Sequence, residues 1–376
     1  MDKTAFQGVQ TPFFVIDEDK IADNLRILDR VQRESGARIL LAQKAFSVYQ
    51  CYPRIGRVLC GSTASGLYEA RLGSEHMGGE THVFSPAYEE HWFDELLTYA
   101  DHLSFNSFDQ WHRFRDKALA AGKSCGLRIN PNHSTQQDAI YDPCAPGSRL
   151  GILRQAFEGE DLSGLDGLHC HTLCEQNADA LIETVKVVER DFGELLPRMK
   201  WLNLGGGHHI TREDYDVVAL IQLVRRLRET YGVTVYLEPG EAVVLNAGVL
   251  VTSVVDIVHN AMELAVLVAS AACHMPDVIE MPYRPPLADS HIWGEAPYAY
   301  RLGGPSCLAG DVIGDYAFDA PLKRGDRLVF EDMALYTMVK TNTFNGIPLP
   351  SIYRWSESEG LCLVRHFGYE DFLSRL

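Results

Sequence analysis

The sequence has few basic residues and no cluster of them. Its 34 Lys and Arg stand against 51 Asp and Glu, which gives a formal net charge of −17. A protein that binds nucleic acid needs clustered Lys and Arg to neutralise phosphates, so we exclude that class of function. The excess of carboxylates is compatible with a cationic ligand, but many ordinary cytosolic proteins are equally acidic.

Long apolar runs and paired cysteine motifs are also missing. The most apolar stretch, residues 242–258, is interrupted by four polar residues, so we expect no membrane span. The first residues, MDKTAFQGVQTPFFVID, lack a basic segment followed by an apolar run and do not resemble a signal peptide. The nine cysteines show no CxxC spacing. We therefore expect a cytoplasmic protein with reduced thiols.

The 376 residues predict two domains, because a single core rarely grows to that size. From residue 39 to 238, short apolar runs alternate with amphipathic segments such as Ala178–Phe192 and Asp214–Tyr231. The runs that predict strands are Ile39–Ala42, Arg57–Cys60, His82–Ser85, His102–Phe105, Gly126–Asn130, Gly167–His171, Trp201–Leu204 and Val233–Leu237. Eight strands alternating with helices favour an α/β fold, a (β/α)₈ barrel. A doubly wound open sheet remains the alternative.

The pattern changes after Pro239–Gly240. Strand-like runs punctuated by Gly, Pro and Asn follow, and long helical periodicity is absent. These runs are Val249–Val258, Leu264–Ala269, Arg327–Phe330 and Leu361–Arg365. An early strand at Pro12–Ile16 is expected to pair with them. We therefore predict a barrel domain at residues 18–241 and a mostly β domain formed by residues 1–17 and 242–376.

Chemically useful side chains follow several of the predicted strands. Lys44 follows the first, His171 ends the sixth, Gly205–Gly207 follow the seventh, and Glu238 ends the eighth. In a (β/α)₈ barrel the carboxyl ends of the strands meet at one mouth, where the active site lies. The pattern therefore predicts an amine, an imidazole, a glycine loop and a carboxylate around one site.

Each of these residues also has an ordinary interpretation. A single Lys after a strand is usually a solvated surface residue, and consecutive glycines often mark only a tight turn. His169 and His171 share one face of a strand and are candidate metal ligands, and the pair His208–His209 keeps that option open. No third ligand lies at a suggestive spacing, so we expect no metal.

The motifs around these residues resemble a known family. AQKAF surrounds Lys44, and G-L-H-C-H, L-G-G-G and E-P-G follow in order. G-G-P-S-C-L-A-G-D at Gly303–Asp311 and M-A-L-Y-T at Met333–Thr337 complete the set. In this order the motifs resemble the fold-type III pyridoxal-phosphate (PLP) decarboxylases, which pair an alanine-racemase-like barrel with a C-terminal β domain. The resemblance covers nearly the whole chain.

Three further segments are similar to one branch of that family, the carboxynorspermidine/carboxyspermidine decarboxylases. They are EPGEA at residues 238–242, CHMPDVIEMPYRP at Cys273–Pro285 and TNTFNGIPLP at Thr341–Pro350. The resemblance implies a PLP-dependent decarboxylase of polyamine biosynthesis with a small polyamine-precursor substrate. It also implies a homodimer with shared active sites.

The resemblance implies a role for each matched residue. Lys44 would hold PLP covalently, His171 would stack on the pyridine ring, and Glu238 would pair with the ring nitrogen. The phosphate would be bound by the backbone of Gly205, Gly206 and Gly207 and by the hydroxyl of Tyr336. Cys307 of the neighbouring subunit would donate the proton after CO₂ leaves.

The sequence departs from the family pattern where the phosphate and the substrate are bound. Glu241 stands where relatives have Arg, so we expect either a weaker hold on the phosphate or another donor, Arg149 or His208. Cys174 stands where relatives have Ser, which removes another phosphate contact. Leu308 replaces the acidic residue that follows the cysteine in ornithine decarboxylase. Gained carboxylates suit a longer cationic substrate. We therefore expect Glu241 and Asp277 to bind its distal amines, with Glu280 and His274 as secondary candidates.

Three other functions fit parts of the sequence. A decarboxylase of diaminopimelate, ornithine or arginine would share the fold, but diaminopimelate needs a group for its distal carboxylate. A racemase would carry Tyr where Cys307 stands. A non-catalytic PLP carrier of this barrel type would lack the β domain, whereas about 130 residues follow the predicted barrel here.

Overall fold

The structure, a computed structural model, describes residue 6, residues 8–136 and residues 138–376. The chain divides into two compact units. One is Asp23–Val243, and the other is Val244–Leu376 together with the described residues up to Ala22. We propose the domain boundaries that the sequence pattern predicts, residues 18–241 for the barrel domain and residues 1–17 with 242–376 for the β domain.

The elements up to residue 244 alternate between strands and helices. In chain order they are β1 (Phe13–Asp17), α1 (Glu18–Ser35), β2 (Arg38–Ala42), α2 (Tyr52–Ile55), β3 (Gly61–Ala64), α3 (Leu67–His76), β4 (Glu80–Phe84), α4 (Glu90–Tyr99), β5 (His102–Phe105), α5 (Phe108–Ala120), β6 (Ser124–Asn130), β7 (Ile152–Leu153), β8 (Gly167–His169), α6 (Ala178–Phe192), β9 (Trp201–Asn203), α7 (Val217–Tyr231), β10 (Thr234–Leu237) and α8 (Glu241–Val244).

Eight of these strands close into a parallel barrel. The order is β5-β4-β3-β2-β10-β9-β8-β6, and β5 pairs with β6 to complete the circle. The short strand β7 adds to β6 outside the circle. The predicted (β/α)₈ barrel is confirmed, and the open doubly wound sheet is excluded by this closure.

Glycine makes room for aromatic packing inside the barrel. Trp201, Tyr236 and Leu40 form a buried cluster. A Cβ added at Gly167 would lie 2.0 Å from Trp201 Cδ2, and one added at Gly126 would lie 2.3 Å from Trp201 Cη2. These positions admit the indole ring because they carry no side chain.

The other unit is built mainly of strands. Its elements after α8 are β11 (Gly248–His259), β12 (Glu263–Leu267), α9 (Ala271–His274), α10 (Pro276–Glu280), β13 (Tyr298–Gly303), β14 (Val312–Phe318), β15 (Arg327–Glu331), β16 (Ser351–Ser356), β17 (Gly360–Arg365) and α11 (Tyr369–Leu373). The sheet order is β14-β13-β12-β11-β1-β16-β17, with β15 also paired to β11. Phe6, Phe13, Val15 and Val251 form its buried cluster.

The early strand pairs as the sequence predicted. β1 lies antiparallel to β11 and parallel to β16, so the β unit is discontinuous in sequence. In the described chain after residue 244, the three α-helices have only four or five residues each and the two 3₁₀ helices have three, which agrees with the missing helical periodicity. Among the described residues, no helix is long and apolar enough to cross a membrane.

The second strand was predicted in the wrong place. Residues 57–60 form turns after α2, and the strand begins at Gly61. The apolar residue Leu59 is buried there without being in a strand. The true strand, GSTA, escaped detection because small residues that fit a crowded barrel interior carry little hydrophobic signal.

Replacing Gly167 by Ala tests the packing of the barrel interior. The new methyl group would collide with the Trp201 ring, so we expect the free energy of unfolding to fall by about 1–3 kcal/mol. Urea denaturation followed by tryptophan fluorescence measures this change. Gly66→Ala is the control, since a Cβ there meets nothing within 4 Å. Equal stability of Gly167→Ala and the wild type would contradict the described packing.

Candidate active site

Three of the predicted barrel residues converge on one cavity at the carboxyl ends of the strands. The cavity has a volume of about 260 Å³. It is lined by Ala42, Lys44, Thr63, Ala64, Ser65, Phe84, Pro86, Arg128, Arg149, Leu150, His169, His171 and Glu238. Lys44, His171 and Glu238, which the sequence placed at one mouth, therefore face a common space.

Lys44 is presented to this cavity by a tight turn after β2. The backbone N–H of Ala45 donates to the Ala42 carbonyl, and the buried Gln43 side chain donates to the Glu69 carbonyl at 2.8 Å. These bonds fix the residues on either side of Lys44. Part of the Lys44 side chain is exposed although protein surrounds it on most sides. The side chain therefore opens into a cavity.

The surroundings of Lys44 favour its neutral amine. Burial and the nearby Arg128 guanidinium lower the pKa of the Lys44 ammonium, while Glu238 opposes them. Arg128 is itself buried, and burial lowers its pKa to about 10. A neutral amine is the form that attacks a carbonyl carbon.

Glu238 is a buried carboxylate that remains ionised. Its Oε1 accepts a hydrogen bond from Asn203 Nδ2 at 2.6 Å, and its Oε2 lies 3.6 Å from His169 Nε2. Burial alone would raise the pKa of Glu238, but His169 and the Asn203 bond outweigh it and lower the pKa. The site therefore contains a fixed negative charge away from water.

Asn203 connects this carboxylate to the glycine loop. Its Oδ1 accepts from the backbone N–H of Gly205 at 2.8 Å, and the N–H of Glu238 donates to the Gly205 carbonyl at 2.7 Å. Sequence reasoning missed Asn203, although its position directly before L-G-G-G in the seventh strand could have identified it. The loop and the carboxylate thus form one hydrogen-bonded assembly.

The glycine loop lies against the strand ends too closely for side chains. Gly205 and Gly207 have φ of 67° and 79°, and a Cβ at Gly206 would lie 2.2 Å from the Glu238 carbonyl oxygen. Gly205 N–H already donates to Asn203, and Gly206 N–H makes a long 3.4 Å contact to His171 Nδ1. At least one of the three N–H groups, that of Gly205, therefore points towards protein atoms and is not directed at a ligand.

His171 is held by its backbone and its ring. Arg128 Nη2 donates to the His171 carbonyl at 2.8 Å, and the Arg128 guanidinium lies 4.4 Å from the Phe84 ring centroid. Burial and Lys44 lower the pKa of His171 well below its usual range, so the ring is neutral. Arg128 was also missed by sequence reasoning, although a charged residue inside the apolar strand GLRIN is a signal of function.

Of the two proposed replacements for the missing phosphate ligands, the structure favours Arg149. Arg149 is exposed and lines the cavity. His208 is buried, and its two ring nitrogens lie 3.1 Å from Tyr215 Oη and 3.4 Å from the Gly205 carbonyl oxygen. A histidine engaged at both nitrogens has no donor left for a phosphate.

Glu241 lies in the same unit as the cavity but has a partner. His209 Nε2 and Glu241 Oε2 are 2.6 Å apart, and both residues are largely buried. The negative charge of Glu241 also raises the pKa of the Lys44 ammonium, against the larger lowering effect of burial. A substrate ammonium would therefore meet a carboxylate already paired with an imidazole.

The remaining predicted residues belong to the β unit. Cys307 is exposed, and its backbone N–H donates to Asn345 Oδ1 at 2.8 Å. Tyr336 begins a short 3₁₀ turn with a φ of 38°. Asp277 accepts a hydrogen bond from Lys340 Nζ, which also donates to Glu280 at 2.8 Å. His274 is buried and engaged at both ring nitrogens, so it has no donor or acceptor left for a substrate.

Two groups of side chains have the composition of metal sites. In His169, His171 and Glu238, one ligand atom from each lies within 4.8 Å of the others. The cations Lys44 and Arg128 line the same cavity and oppose a divalent cation there.

The second group, Glu80, His82 and His102, lies at the amino-terminal ends of the strands. The rings of His82 and His102 stack with centroids 3.9 Å apart. Glu80 accepts from Arg38 Nη2 at 2.8 Å and lies 3.2 Å from His82 Nε2. Burial would raise the pKa of Glu80, but His82 and Arg38 outweigh it and lower the pKa to about 2.

Residues 13–334 match the sequence profile of the family described as pyridoxal-dependent decarboxylase, C-terminal sheet domain. The carboxynorspermidine/carboxyspermidine decarboxylase of Campylobacter jejuni is 44% identical over 98% of this chain and 99% of that protein. The carboxyaminopropylagmatine decarboxylase of Synechocystis is 41% identical over 100% and 98%. The structure of C. jejuni carboxynorspermidine decarboxylase complexed with norspermidine has a TM-score of 0.92 and 43% identity, covering 98% and 100% of the two chains.

A closed parallel barrel with an amine, an imidazole, a carboxylate and a glycine cradle at its mouth, and with a separate β unit, is the architecture of a PLP-dependent enzyme. The donor set fits that cofactor, since Lys44 can form an imine and Glu238 can hold a protonated ring nitrogen. The chain belongs to the pyridoxal-dependent decarboxylase family. The resemblance inferred from the sequence is confirmed.

Replacing Glu80 by Gln tests the charge network at the amino-terminal ends of the strands. Because folding lowers its pKa, Glu80 stabilises the protein fully above about pH 4.5, and this contribution is lost as the pH falls towards 2. We expect the free energy of unfolding to fall by about 1–2 kcal/mol at pH 7, allowing for partial solvent screening.

Urea titrations from pH 7 to pH 3 measure this difference. The gap between Glu80→Gln and the wild type should shrink as the pH falls below about 4.5. Glu75→Gln, at an exposed carboxylate that pairs with Arg71, should change stability little at any pH. A gap that stays constant with pH would contradict the assignment.

Proposed function

We propose that this protein decarboxylates carboxynorspermidine or carboxyspermidine to norspermidine or spermidine in polyamine biosynthesis. The observation that carries the proposal is the full-length similarity, at 44% identity, to the C. jejuni enzyme of that name. Lys44, His171 and Glu238 support the proposal, because they bring an amine, an imidazole and a carboxylate to one cavity. Diaminopimelate, ornithine and arginine are not favoured, because the full-length relatives at this identity have other substrate names.

PLP, when bound, supplies an electron sink for the electron pair left on the substrate when CO₂ departs. Lys44 is proposed to hold the cofactor covalently, and its lowered pKa supports this by favouring the neutral amine. The ionised Glu238 would keep a proton on the ring nitrogen, which strengthens the sink. The neutral His171 ring would pack on the cofactor and restrict its motion.

The phosphate would be bound by the remaining groups of the site. We propose the loop Gly205–Gly207, in which the Gly205 N–H is already bonded to Asn203, and the Tyr336 hydroxyl for this role, as the family resemblance implies. Arg149 is added as the cation that compensates for Glu241, because this residue lines the cavity. Its positive charge suits a dianionic phosphate.

We propose that the active enzyme is a cytoplasmic homodimer. In this arrangement Cys307 of the neighbouring subunit donates the proton that replaces CO₂ on the substrate. The exposure of Cys307, on the segment Gly303–Asp311, supports this role, because an exposed thiol can reach a second subunit. The nine free thiols are consistent with a reducing compartment.

Glu241 and Asp277 are proposed to bind the distal amines of the substrate. Both already have a cationic or imidazole partner, Lys340 for Asp277 and His209 for Glu241. The proposal therefore requires the substrate to share or displace these partners. Two carboxylates that converge on Lys340 Nζ, Asp277 and Glu280, support the view that this place can hold a primary ammonium.

A second function, decarboxylation of carboxyaminopropylagmatine, is favoured by the 41% identity to the Synechocystis enzyme over the whole chain. Its substrate ends in a guanidinium rather than an ammonium. A guanidinium forms two parallel hydrogen bonds with a carboxylate, so Glu241 or Asp277 suits either end group.

Product identification separates these functions. PLP-loaded protein is incubated separately with carboxynorspermidine, carboxyspermidine, carboxyaminopropylagmatine and diaminopimelate, and the products are identified by mass spectrometry. We expect norspermidine or spermidine to form fastest. Preferential formation of aminopropylagmatine would select the second function, and turnover of diaminopimelate alone would contradict both.

Replacing Glu241 by Gln tests the substrate contact. Loss of the negative charge should raise KM about tenfold or more, while the absorbance of bound PLP changes little. The control is Asp214→Asn, at an exposed carboxylate paired with Arg212 in the same unit. Wild-type kinetics for Glu241→Gln would remove Glu241 from the substrate site.

A further inference from the structure

His169 is a buried histidine to which the roles above give no function. It ends β8, is 1% exposed and lines the cavity beside Glu238. Neither ring nitrogen has a hydrogen-bond partner among the described residues. Burying two unpartnered polar atoms is costly, so the position indicates an interaction that is completed when the site is loaded.

The nearest acceptor to His169 is the carboxylate of Glu238. Its Oε2 is 3.6 Å from His169 Nε2, beyond the usual range of about 2.7–3.2 Å for a hydrogen bond. The terminal torsion of a glutamate is soft. A small rotation of the carboxylate can therefore close the gap without backbone movement.

The charges of the two groups determine where the proton of His169 lies. Burial lowers the pKa of His169 to about 4, so its imidazole is neutral and carries one proton. Glu238 is ionised. A lone pair on Nε2 would repel the carboxylate oxygen, whereas an Nε2–H attracts it, so the proton belongs on Nε2.

We propose that His169 is a positioning residue that donates its Nε2–H to Glu238 Oε2 and thereby holds the carboxylate against the ring nitrogen of the cofactor. The proposal rests on the proposed function, because it assigns Glu238 to that nitrogen. His169 acts through Glu238 and takes no part in bond breaking.

The strand register supports this role. His169 on β8 lies opposite Asn203 on β9, and Asn203 lies opposite Tyr236, two residues before Glu238. Asn203 Nδ2 holds Oε1 of the carboxylate at 2.6 Å. A donor from β9 thus faces Oε1 and a donor from β8 faces Oε2. Two donors at the two oxygens fix the plane of the carboxylate.

Other charged groups near His169 and Glu238 do not replace this donor. The charges of Lys44, Arg128 and His82 shift the pKa of His169, of Glu238 or of both. The centroid of the His171 ring lies 6.3 Å from that of the His169 ring. The hydrogen bonds described for Arg128 and His82 go to the His171 carbonyl and to Glu80. His169 Nε2 is the donor closest to Oε2 in the described contacts.

A pair of amide variants of His169 tests whether the position of the hydrogen-bond donor matters, and not only the size of the side chain. The side-chain amide of Gln reaches the place of His Nε2, whereas the shorter Asn amide reaches only the place of Nδ1. His169→Gln should therefore keep the donor, and His169→Asn should lose it. His102→Asn, at the amino-terminal ends of the strands, is the control for removing a barrel histidine.

The first readout is the ¹⁵N chemical shift of bound PLP labelled at its ring nitrogen, which reports protonation of that nitrogen independently of turnover. The second is the dissociation constant of PLP for the apo-protein. We expect His169→Asn to move the shift towards the unprotonated value and to weaken PLP binding about tenfold. His169→Gln and His102→Asn should stay within about threefold of the wild type.

Equal shifts and affinities for His169→Gln, His169→Asn and the wild type would overturn the role of His169 while leaving the proposed function intact. Equal losses in both His169 variants would overturn it as well, because the position of the donor would then be irrelevant. Failure of the wild type to bind PLP would overturn the proposed function and this assignment together.

Discussion

Glu238 places a negative charge at the end of β10 where little water can reach it, and the other features of the site compensate for that charge. A buried carboxylate is costly unless it is hydrogen-bonded and faces positive or donor groups. Asn203 donates to it from β9, and the Lys44 amine and the Arg128 guanidinium line the same cavity. The Gly205 backbone joins the same assembly through Asn203. The ends of three adjacent strands, β2, β10 and β9, thus carry the groups that surround and compensate one buried charge.

Much of the barrel could be predicted from the sequence because its strands carry a hydrophobic signal and its helices a clear 3.6-residue period. α6 occupies the predicted residues, and α7 begins three residues after the predicted start, where Asp216 caps it by accepting from the Ala219 N–H at 2.9 Å. β3 was misplaced because its small side chains are selected by barrel packing and not by hydrophobicity. Strands β13, β14 and β16 were missed in the other unit, since each contains partly exposed positions and none is a continuous buried apolar run.

The candidate site was predicted where the chemistry resides in one side chain at a strand end. Lys44, His171 and Glu238 are of this kind. Asn203, Arg128 and His169 were missed or left as possible metal ligands, because their functions depend on which strands are neighbours. Sequence order separates β8 from β6 and β10 from β2, and the closed barrel makes both pairs adjacent. Partners such as His209 for Glu241 likewise depend on tertiary contact.

The central claim is that Lys44 holds the cofactor at the mouth of this barrel. The most direct measurement is reduction of the PLP-loaded protein with borohydride, followed by proteolysis and mass spectrometry of the peptides. The account predicts a phosphopyridoxyl group on the peptide that contains Lys44. Labelling of a different lysine, with Lys44 unmodified, would contradict it.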